Sequence, residues 1–326
     1  MSLTARWHYY RRILPVYLSS GRSQLTFWHE APEINPRATN TRMGEYYMSF
    51  REKADYAGRY DSEGIPMLDY HGAIGLQYNP IAIAQWGLAN YNLFCETGDA
   101  GRRQKMQKAA DWLAANLEQN SQGLWVWNHH FDWDYRDTLK APWYSGLAQG
   151  QGVSLLLRAY AQSANDKYQR TAEQAFVSLT KLIAQGGVLF EDEEQNLWIE
   201  EYVVDPPTHI LNGFMWALWG VFDFWLARAD TAAKTIFDRG VRTLIHNLPR
   251  FDTGYWSLYE QSGTRLKMLA SPFYHRLHIV QLRVMTNLTG DQRFAEVADR
   301  WEGYARHRSN RSRALIEKSI FKLLHY

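Results

Sequence analysis

Four apolar segments, each beginning at a proline, recur along the chain at nearly constant spacing. They begin at Pro80, Pro142, Pro206 and Pro272, so the steps are 62, 64 and 66 residues. Proline suits the first turn of a helix, where its missing N–H leaves no hydrogen bond unmade. Because each segment is apolar on all sides, the spacing predicts four buried helices in equivalent positions. The Asp205 side chain is predicted to cap the third of them.

A second, amphipathic helix is predicted after each buried one. Each of these segments opens near an aspartate, a favoured N-cap residue. The four aspartates are Asp99, Asp166, Asp230 and Asp291. In the second segment one apolar stripe is expected to be buried. Its residues are Tyr168, Ala172, Ala175, Leu179 and Leu182.

Helix pairs that repeat in this way form either an open solenoid or a closed α/α toroid. We predict a mainly α fold, an α/α toroid of about four helical hairpins, because polar residues on its inner helices can face a central funnel. Connections within a pair are short, whereas those to the next pair are long and rich in Trp, Tyr, His and Asp. The long loops then share one end of the barrel with the N-termini of the inner helices. Since helix N-termini favour anions, this end is expected to hold a negatively charged ligand rich in rings.

The two ends of the chain differ from this repeat. Residues 1–78 are predicted to form a β-hairpin or extended region packed on the barrel, and residues 79–326 the barrel itself. Near the C-terminus, apolar residues are spaced as one helical face, which predicts a helix docked on the barrel. They are Ile316, Ile320, Leu323 and Leu324. Contact with a second copy, giving a homodimer, or with a membrane surface is the alternative.

Composition and motifs argue against several classes of function. Lys and Arg number 36 against 34 Asp and Glu, which gives no strong field for nucleic acid. The single cysteine, Cys95, rules out an internal disulfide, and the N-terminus lacks the apolar core of a signal peptide, so a cytoplasmic location is predicted. No phosphate loop, dinucleotide fingerprint or convincing zinc spacing occurs, and the adjacent His129 and His130 cannot easily face one ion. We therefore predict no cofactor and no metal.

Acidic and phenolic residues in the long loops are the remaining candidates for chemistry. Glu200, Glu201 and Tyr202 precede the third inner helix, and Tyr259 lies in FDTGYWSLYEQSG. Tyr274 begins the fourth inner helix, four residues before His278 and so on the same face. Each tyrosine alone is equally consistent with a rim residue, but the group converges on one end of the barrel.

Four segments of the chain resemble, in order, segments of the D-glucuronyl C5-epimerase family. They are PWYSGLAQGQGVSLLLRAY, WIEEYVVDPPTHILNGFMWALWGVFD, LPRFDTGYWSLYE and YHRLHIVQL. This family converts D-glucuronate to L-iduronate within heparan-type polysaccharides and has an α/α-barrel catalytic domain. The resemblance covers roughly Asn79 to Tyr304 and implies that Glu201, Tyr202, Tyr259 and Tyr274 are catalytic. It also implies an anionic uronate-containing polysaccharide or oligosaccharide as the partner.

The implied reaction removes the C5 proton, next to the uronate carboxylate, and returns a proton to the opposite face. The enzyme must stabilise an enolate-like dianion and place acid–base groups on both sides of the ring. A phenol is suitable because its ordinary pKa is about 10, and nearby helix N-termini are expected to lower that pKa. We place Glu201 or Tyr202 on one face, Tyr274 on the other, and Tyr259 against the carboxylate.

Residues in the loops and on the inner helices are predicted to bind the substrate. They are Tyr78, Trp143, Tyr144, Gln149, Gln151, Glu200, Asn212, His275, Arg276, His278 and Gln281. One departure from the family pattern concerns recognition. After the tyrosine of LYEQSG the family has an acidic residue, a leucine and a substrate-binding arginine, whereas this chain has Glu260, Gln261 and Ser262.

The missing guanidinium leaves recognition of a sulfated or heparosan-type chain open, since serine cannot replace a bidentate clamp. Arg265 and Arg276 are the candidate replacements. Two alternatives to an epimerase remain at this point. One is a lyase that uses the same carbanion to expel the C4 substituent, and the other is a glycan-binding barrel without catalysis.

Overall fold

The computed structural model describes residues 27–135 and 138–325, which form a mainly helical fold. The α-helices of this part are α1 Arg51–Ala54, α2 Pro80–Thr97, α3 Ala100–Ala115, α4 Gly146–Ser163, α5 Asp166–Phe176, α6 Leu211–Arg228, α7 Thr231–Asn247, α8 Pro272–Thr289, α9 Gln292–Arg306 and α10 Arg308–His325. Short 3-10 helices span Val177–Thr180, Ile183–Gln185 and Leu248–Phe251.

Eleven strands of two to four residues lie among the helices in the described ranges. They are β1 Arg59–Tyr60, β2 Pro66–Asp69, β3 Leu76–Gln77, β4 Glu118–Gln119, β5 Trp125–Val126, β6 Asn128–His129, β7 Trp133–Asp134, β8 Thr138–Leu139, β9 Trp143–Tyr144, β10 Leu189–Glu191 and β11 Leu197–Ile199. Each sheet is antiparallel, and the largest, β1-β2-β3, lies immediately before α2.

The predicted helical repeat is confirmed. The hairpins are α2–α3, α4–α5, α6–α7 and α8–α9, and the inner helices α2, α4 and α6 are buried over most of their length. Each pair is joined by two residues, the first of which is in the left-handed region. These residues are Gly98 (φ 70°), Ala164 (φ 52°), Ala229 (φ 51°) and Gly290 (φ 74°). The chain forms an α/α toroid.

Two inner helices, α4 and α6, touch through their backbones. A Cβ atom on Gly150 would lie 2.5 Å from the Cα of Ala217, and one on Gly220 would lie 2.5 Å from the carbonyl carbon of Gly150. A side chain at either glycine would force these helices apart. The two glycines therefore set how closely α4 and α6 approach.

The segment that precedes α1 contacts both the first and the last inner helix. The Asn40 amide donates to the Asn287 carbonyl of α8 at 2.8 Å, and the Tyr46 N–H donates to the Asn92 side chain of α2 at 2.7 Å. Tyr46 is fully buried in the same hydrophobic core as the inner helices. This segment therefore fills the gap between α8 and α2, while the proposed domain division at residue 78 stays a prediction.

A buried ion pair crosses between α4 and α6, towards the short-turn end of the barrel. The Arg158 guanidinium donates two hydrogen bonds to the Asp223 carboxylate, at 2.6 and 3.1 Å. The Tyr47 hydroxyl donates to the same carboxylate at 2.6 Å. Both charged side chains are at most 1% exposed, so each depends on the other for its charge balance.

Two of the four predicted helix starts are confirmed and two are wrong. Helices α2 and α8 begin at Pro80 and Pro272, but α4 and α6 begin four and five residues after Pro142 and Pro206. After Pro142 the chain enters strand β9 before α4 begins, and after Pro206 it runs irregularly, with His209 in the left-handed region (φ 52°), before α6 begins.

The predicted cap of α6 at Asp205 is also wrong. The N-cap position is Ile210, which makes no side-chain cap. The first helical N–H, that of Leu211, is instead satisfied by the Tyr259 carbonyl at 3.1 Å. Among the outer helices, the Asp99, Asp230 and Asp291 side chains cap as predicted.

The remaining outer helix differs from its prediction at both ends. Helix α5 is capped by Asn165, which accepts from the Lys167 N–H at 3.1 Å, and Asp166 is its first residue. The helix stops at Phe176, and the chain turns into a 3-10 helix. Leu182 therefore leaves the apolar stripe and is 40% exposed.

The C-terminal helix α10 docks on the barrel, but through a different face from the predicted one. The residues expected to be buried are 44–63% exposed. They are Ile316, Ile320, Leu323 and Leu324. The buried stripe is Ala314, Lys318 and Phe321, in which the aliphatic stem of a lysine covers apolar surface. Within the described ranges, every helix is too short or too polar to span a membrane.

Candidate active site

The long connections place an acidic residue and several phenols at the end of the barrel where the inner helices begin. Strands β10 and β11 pair from Leu189 to Ile199 and deliver the chain to Glu200 and Glu201. The Gly146 N–H, at the start of α4, donates to the Glu200 carbonyl at 2.9 Å. This bond ties the loop that carries Glu201 to the mouth of the barrel.

Glu201 is a nearly enclosed carboxyl group, 5% exposed. The Asn212 amide lies 3.4 Å from its Oε2, and Gly213 provides the space beside it, since a Cβ atom there would lie 2.6 Å from the Glu201 Cβ. Burial raises the pKa of Glu201 to about 8, a hydrogen bond from Tyr202 opposes the shift, and the charge of Glu260 adds to it. A carboxyl group with this pKa can exchange a proton near neutral pH.

The phenols predicted to be catalytic form one aromatic cluster next to Glu201. The Tyr259 and Tyr274 ring centroids are 4.8 Å apart, and those of Tyr202 and Tyr135 are 4.6 Å apart. Tyr202 also meets Trp143 edge-on at 5.6 Å. The structure thus brings together all four residues predicted to be catalytic, together with Trp143.

The expectation of a lowered phenol pKa is wrong for Tyr259. Burial raises its pKa well above the ordinary value, and the nearby Glu201 carboxyl raises it further. The helix N-termini do not offset the loss of solvent. Tyr259 is therefore a neutral hydrogen-bond donor at physiological pH.

Glu200 anchors the loop. Its carboxylate is fully buried, accepts from the His209 N–H at 3.0 Å and lies 2.5 Å from Nδ1 of the same histidine. His209 has a φ of 52° and stacks on Trp198 at 4.2 Å. These contacts hold the backbone on either side of Glu201 and Tyr202.

Amides of the inner helices form a buried polar layer beneath the cluster. The Gln85 amide donates to Gln151 at 3.1 Å, and the Gln281 amide donates to the Asn212 carbonyl at 2.9 Å. Gln149 lies against the Trp127 backbone, 3.4 Å from its N–H. Several buried polar atoms of this layer have no hydrogen-bond partner among the described residues. They are Gln85 Oε1, Gln151 Nε2, Asn212 Oδ1 and Gln281 Oε1.

Two histidines predicted to bind substrate are packed into the protein. The His275 ring stacks on Trp256 at 3.8 Å, and its Nε2 lies 3.0 Å from the Trp301 carbonyl. His278 Nδ1 lies 3.0 Å from the Ser257 hydroxyl. Their described contacts support the fold around α8 and α9.

Two other predicted binding residues, Tyr78 and Tyr144, have described contacts away from the phenol cluster, and Arg276 is exposed on α8. The Tyr78 hydroxyl donates to Asp61 at 2.7 Å. The Tyr144 hydroxyl donates to the Gly186 carbonyl at 2.8 Å.

The cluster also contains residues that were not predicted. The Tyr135 hydroxyl donates to the Glu260 carboxylate, and Phe321 packs with Tyr135 and Tyr259. Lys318 lies with its Nζ 5.7 Å from the centroid of the Tyr259 ring. A stripe of positions 314, 318 and 321 has helical spacing and could have indicated this face, but its central lysine concealed it. In the described ranges no group of His, Cys, Asp and Glu side chains is arranged to hold a metal ion.

The sequence of a large part of this chain is similar to that of known proteins. The sequence profile described as D-glucuronyl C5-epimerase C-terminus matches residues 119–303, more than half of the 326 residues. The chain belongs to the D-glucuronyl C5-epimerase family. The matched span includes Glu201, Tyr202, Tyr259 and Tyr274.

Individual relatives of this C5-epimerase family member match it in part. The D-glucuronyl C5-epimerase of Caenorhabditis elegans is 32% identical over 213 residues, which are 60% of this chain and 34% of that protein. An uncharacterized protein of Methanocaldococcus jannaschii is 26% identical over 195 residues, 59% of this chain and 62% of that protein. The unsaturated glucuronyl hydrolase of Bacillus sp. GL1 has a TM-score of 0.48 at 15% identity, covering 69% of this chain and 61% of that chain. The chain thus spans about a third of the worm protein, as the 34% coverage shows.

In this C5-epimerase family member, Gly213→Ala tests the position of Glu201. The new methyl group would lie 2.6 Å from the Glu201 Cβ, so the carboxyl group must move. Displacement of a catalytic group by an ångström can cost about 10²-fold, and we expect a loss of that size in C5 proton exchange. Overpacking at a buried site typically costs about 1–3 kcal/mol of unfolding free energy, so exchange is compared per folded molecule. Gly303→Ala is the matched control, since its Cβ would meet nothing within 4 Å in α9. Full activity of Gly213→Ala would show that the position of Glu201 is not critical.

The raised pKa of Glu201 links stability to pH. Its value of about 8 lies above the ordinary 4.5, so between these pH values the folded protein holds a proton that the unfolded chain releases. The contribution of Glu201 to the free energy of unfolding is present at low pH and declines up to about pH 8, by up to about 1.4 kcal/mol per pH unit. The difference in unfolding free energy between wild type and Glu201→Gln, measured in urea at about pH 5 and pH 8, isolates this contribution, because all other titrating groups are common to both proteins. The variant should gain stability relative to wild type at the higher pH, and a constant difference would contradict the raised pKa.

Proposed function

We propose that this protein is a uronate C5-epimerase that converts D-glucuronate to L-iduronate residues in a polysaccharide or oligosaccharide. The observation that carries the proposal is the convergence of Glu201 with the phenols of Tyr202, Tyr259 and Tyr274 at the barrel mouth. Membership of the C5-epimerase family supports the same reaction.

The proposed reaction begins when ionised Glu201 takes the C5 proton. The C–H bonding pair moves into the adjacent carboxylate, which becomes an enolate-like dianion. The Tyr274 phenol then donates its proton to C5 from the opposite face, and the electron pair returns to carbon. Glu201 then loses its proton to solvent and the Tyr274 phenolate takes one from solvent, which restores both groups for the next turnover. In the reverse direction the two groups exchange roles. Each such group contributes about 10²- to 10⁴-fold to the rate.

Two neighbours support the charges that develop in this reaction. The hydrogen bond from Tyr202 favours the ionised form of Glu201, in which it acts as a base. Tyr259 keeps its proton because burial raises its pKa, so it can donate a hydrogen bond to the developing dianion. A donor that is already in place costs no reorganisation when charge appears.

Proton exchange in deuterated water tests the function. We expect the full chain, incubated with heparosan or with other glucuronate-containing polysaccharides, to introduce deuterium at C5 of intact chains, as read by NMR. Ultraviolet absorption from a new unsaturated uronate would show a lyase instead. Binding without either change would show a glycan-binding barrel, and both results would overturn the proposal.

The predicted homodimer and membrane-surface contact stay predictions, as does the cytoplasmic location. The exposed apolar residues of α10 are where either contact would form. They are Leu315, Ile316, Ile320, Leu323 and Leu324. Sedimentation of the chain, alone and with anionic vesicles, separates self-association from membrane binding.

A further inference from the structure

The C-terminal helix α10 carries a lysine into the catalytic cluster. Lys318 is 9% exposed, and its ammonium donates to the Leu269 carbonyl at 2.7 Å. The same Nζ lies 5.7 Å from the centroid of the Tyr259 ring. Phe321, three residues later, is buried against Tyr259. Helix α10 therefore covers the cluster and adds a cation to it, although it lies beyond residue 303, where the family match ends.

The Lys318 ammonium is buried among the described residues. It donates a hydrogen bond to the Leu269 carbonyl. Burial first, and then the charge of Lys322, lower the pKa of Lys318 to about 7, with Glu260 opposing the shift. A buried cation is costly unless an anion balances it. The site is therefore arranged to gain from an anionic ligand.

Among the described residues, Glu260 is the anion near Lys318, and its charge opposes the lowering of the Lys318 pKa. The Glu260 carboxylate accepts from the Tyr135 hydroxyl. His29 and His278 have pKa values lowered first by burial and then by neighbouring positive charges that include Lys318. All of the groups named here around Lys318, apart from Glu260, are therefore neutral or cationic.

The two arginines predicted to replace the missing family arginine are not buried with the phenol cluster. Arg265 and Arg276 are both exposed. The Ser262 hydroxyl, at the position of the missing guanidinium, lies 3.3 Å from the Thr264 hydroxyl. Lys318 is the buried cation next to Tyr259 in the described structure.

We infer that Lys318 binds the carboxylate of the uronate at the catalytic site, in place of the arginine missing at Ser262; this rests on the proposed epimerase function. The ammonium stands beside the Tyr259 ring, whose phenol is placed against the same carboxylate. Since negative charge grows on this carboxylate as C5 loses its proton, a cation there stabilises the transition state more than the bound substrate. Lysine offers a point charge with three rotatable donors, where arginine would offer a planar fork.

Paired ligands that differ only in the carboxylate test this role. Calorimetry would compare a glucuronate-containing oligosaccharide with its carboxyl-reduced form, in which glucose replaces glucuronate. We expect Lys318→Met to weaken binding of the uronate by about 10- to 100-fold, the usual range for a hydrogen bond to a charged group, and to leave the reduced ligand unaffected. Lys318→Arg should recover part of the loss. Lys267→Met, which removes an exposed charge from the loop before α8, is the control.

The outcomes separate this inference from the proposed function. Equal weakening of both ligands by Lys318→Met, with a lower melting temperature, would show a structural role and overturn the inference. Unchanged uronate binding would overturn it as well. C5 exchange by the wild-type protein is measured on the same preparation. Loss of carboxylate preference without wild-type exchange would support Lys318 and overturn the epimerase.

Discussion

Replacing Glu201 by glutamine is expected to lower the rate of C5 deuterium exchange by about 10²- to 10⁴-fold, the usual contribution of a positioned acid or base. Glutamine has nearly the same shape and fits beside Gly213, but it cannot take or return a proton. Burial raises the pKa of Glu201 to about 8, so both its protonated and ionised forms are accessible near neutral pH. The measurement is NMR of deuterium at C5, made at substrate concentrations above and below KM.

The matched control for this variant is Glu193→Gln, on the β10–β11 hairpin that leads to Glu201. Glu193 is exposed, so the same change in charge should leave exchange unaffected. The Glu201→Gln variant should bind a uronate oligosaccharide as tightly as wild type. If it exchanged C5 protons at the wild-type rate, another group would have to be the base and the proposed mechanism would be wrong.

The largest effect on stability is expected at Asp223, on the same helix as Asn212 but about 16 Å further along at 1.5 Å per residue. In Asp223→Leu, the Arg158 guanidinium would stay buried without its partner. Removing one member of such a pair typically costs about 3–5 kcal/mol of unfolding free energy. Tyr47 would also lose the acceptor of its 2.6 Å hydrogen bond. Urea denaturation of the purified chain measures the loss.

A double variant distinguishes charge imbalance from poor packing. Replacing both members, as Arg158→Met with Asp223→Leu, removes the unpaired charge and should recover part of the stability, since the Tyr47 hydroxyl still lacks its acceptor. Equal destabilisation of the single and double variants would mean that shape, and not charge, dominates at this position. Both variants leave Glu201 and the phenol cluster next to it in place.

The sequence predicted the repeat because the signals that define it are local. A proline in the first turn and an aspartate at the N-cap act within one turn of the helix, and Pro80, Pro272 and Asp99 behaved as expected. The failures arose where a distant group satisfied the backbone. The start of α6 is set by the Tyr259 carbonyl, nearly fifty residues away, and no pattern near Asp205 reports that contact.

For the candidate site, too, local sequence signals could be predicted and contacts between distant residues could not. The family resemblance pointed to Glu201 and the three tyrosines. The structure places these residues together, but their roles stay proposals. Lys318 could not be found because a lysine between apolar residues is normally a surface residue, and only the packing of α10 shows that it is buried. The raised pKa of Tyr259 likewise depends on burial by residues far apart in the chain.

The two-residue turns at one end of the barrel have a practical consequence for altering this protein. Such turns are too short to absorb added residues. Their first residues, among them Ala164 and Ala229, have positive φ angles that an insertion would disturb. The opposite end is formed by connections whose length the helices do not fix. Loops from relatives with other preferences could therefore be grafted there, with Glu201, Tyr202 and Tyr259 retained, while the helices are left unchanged.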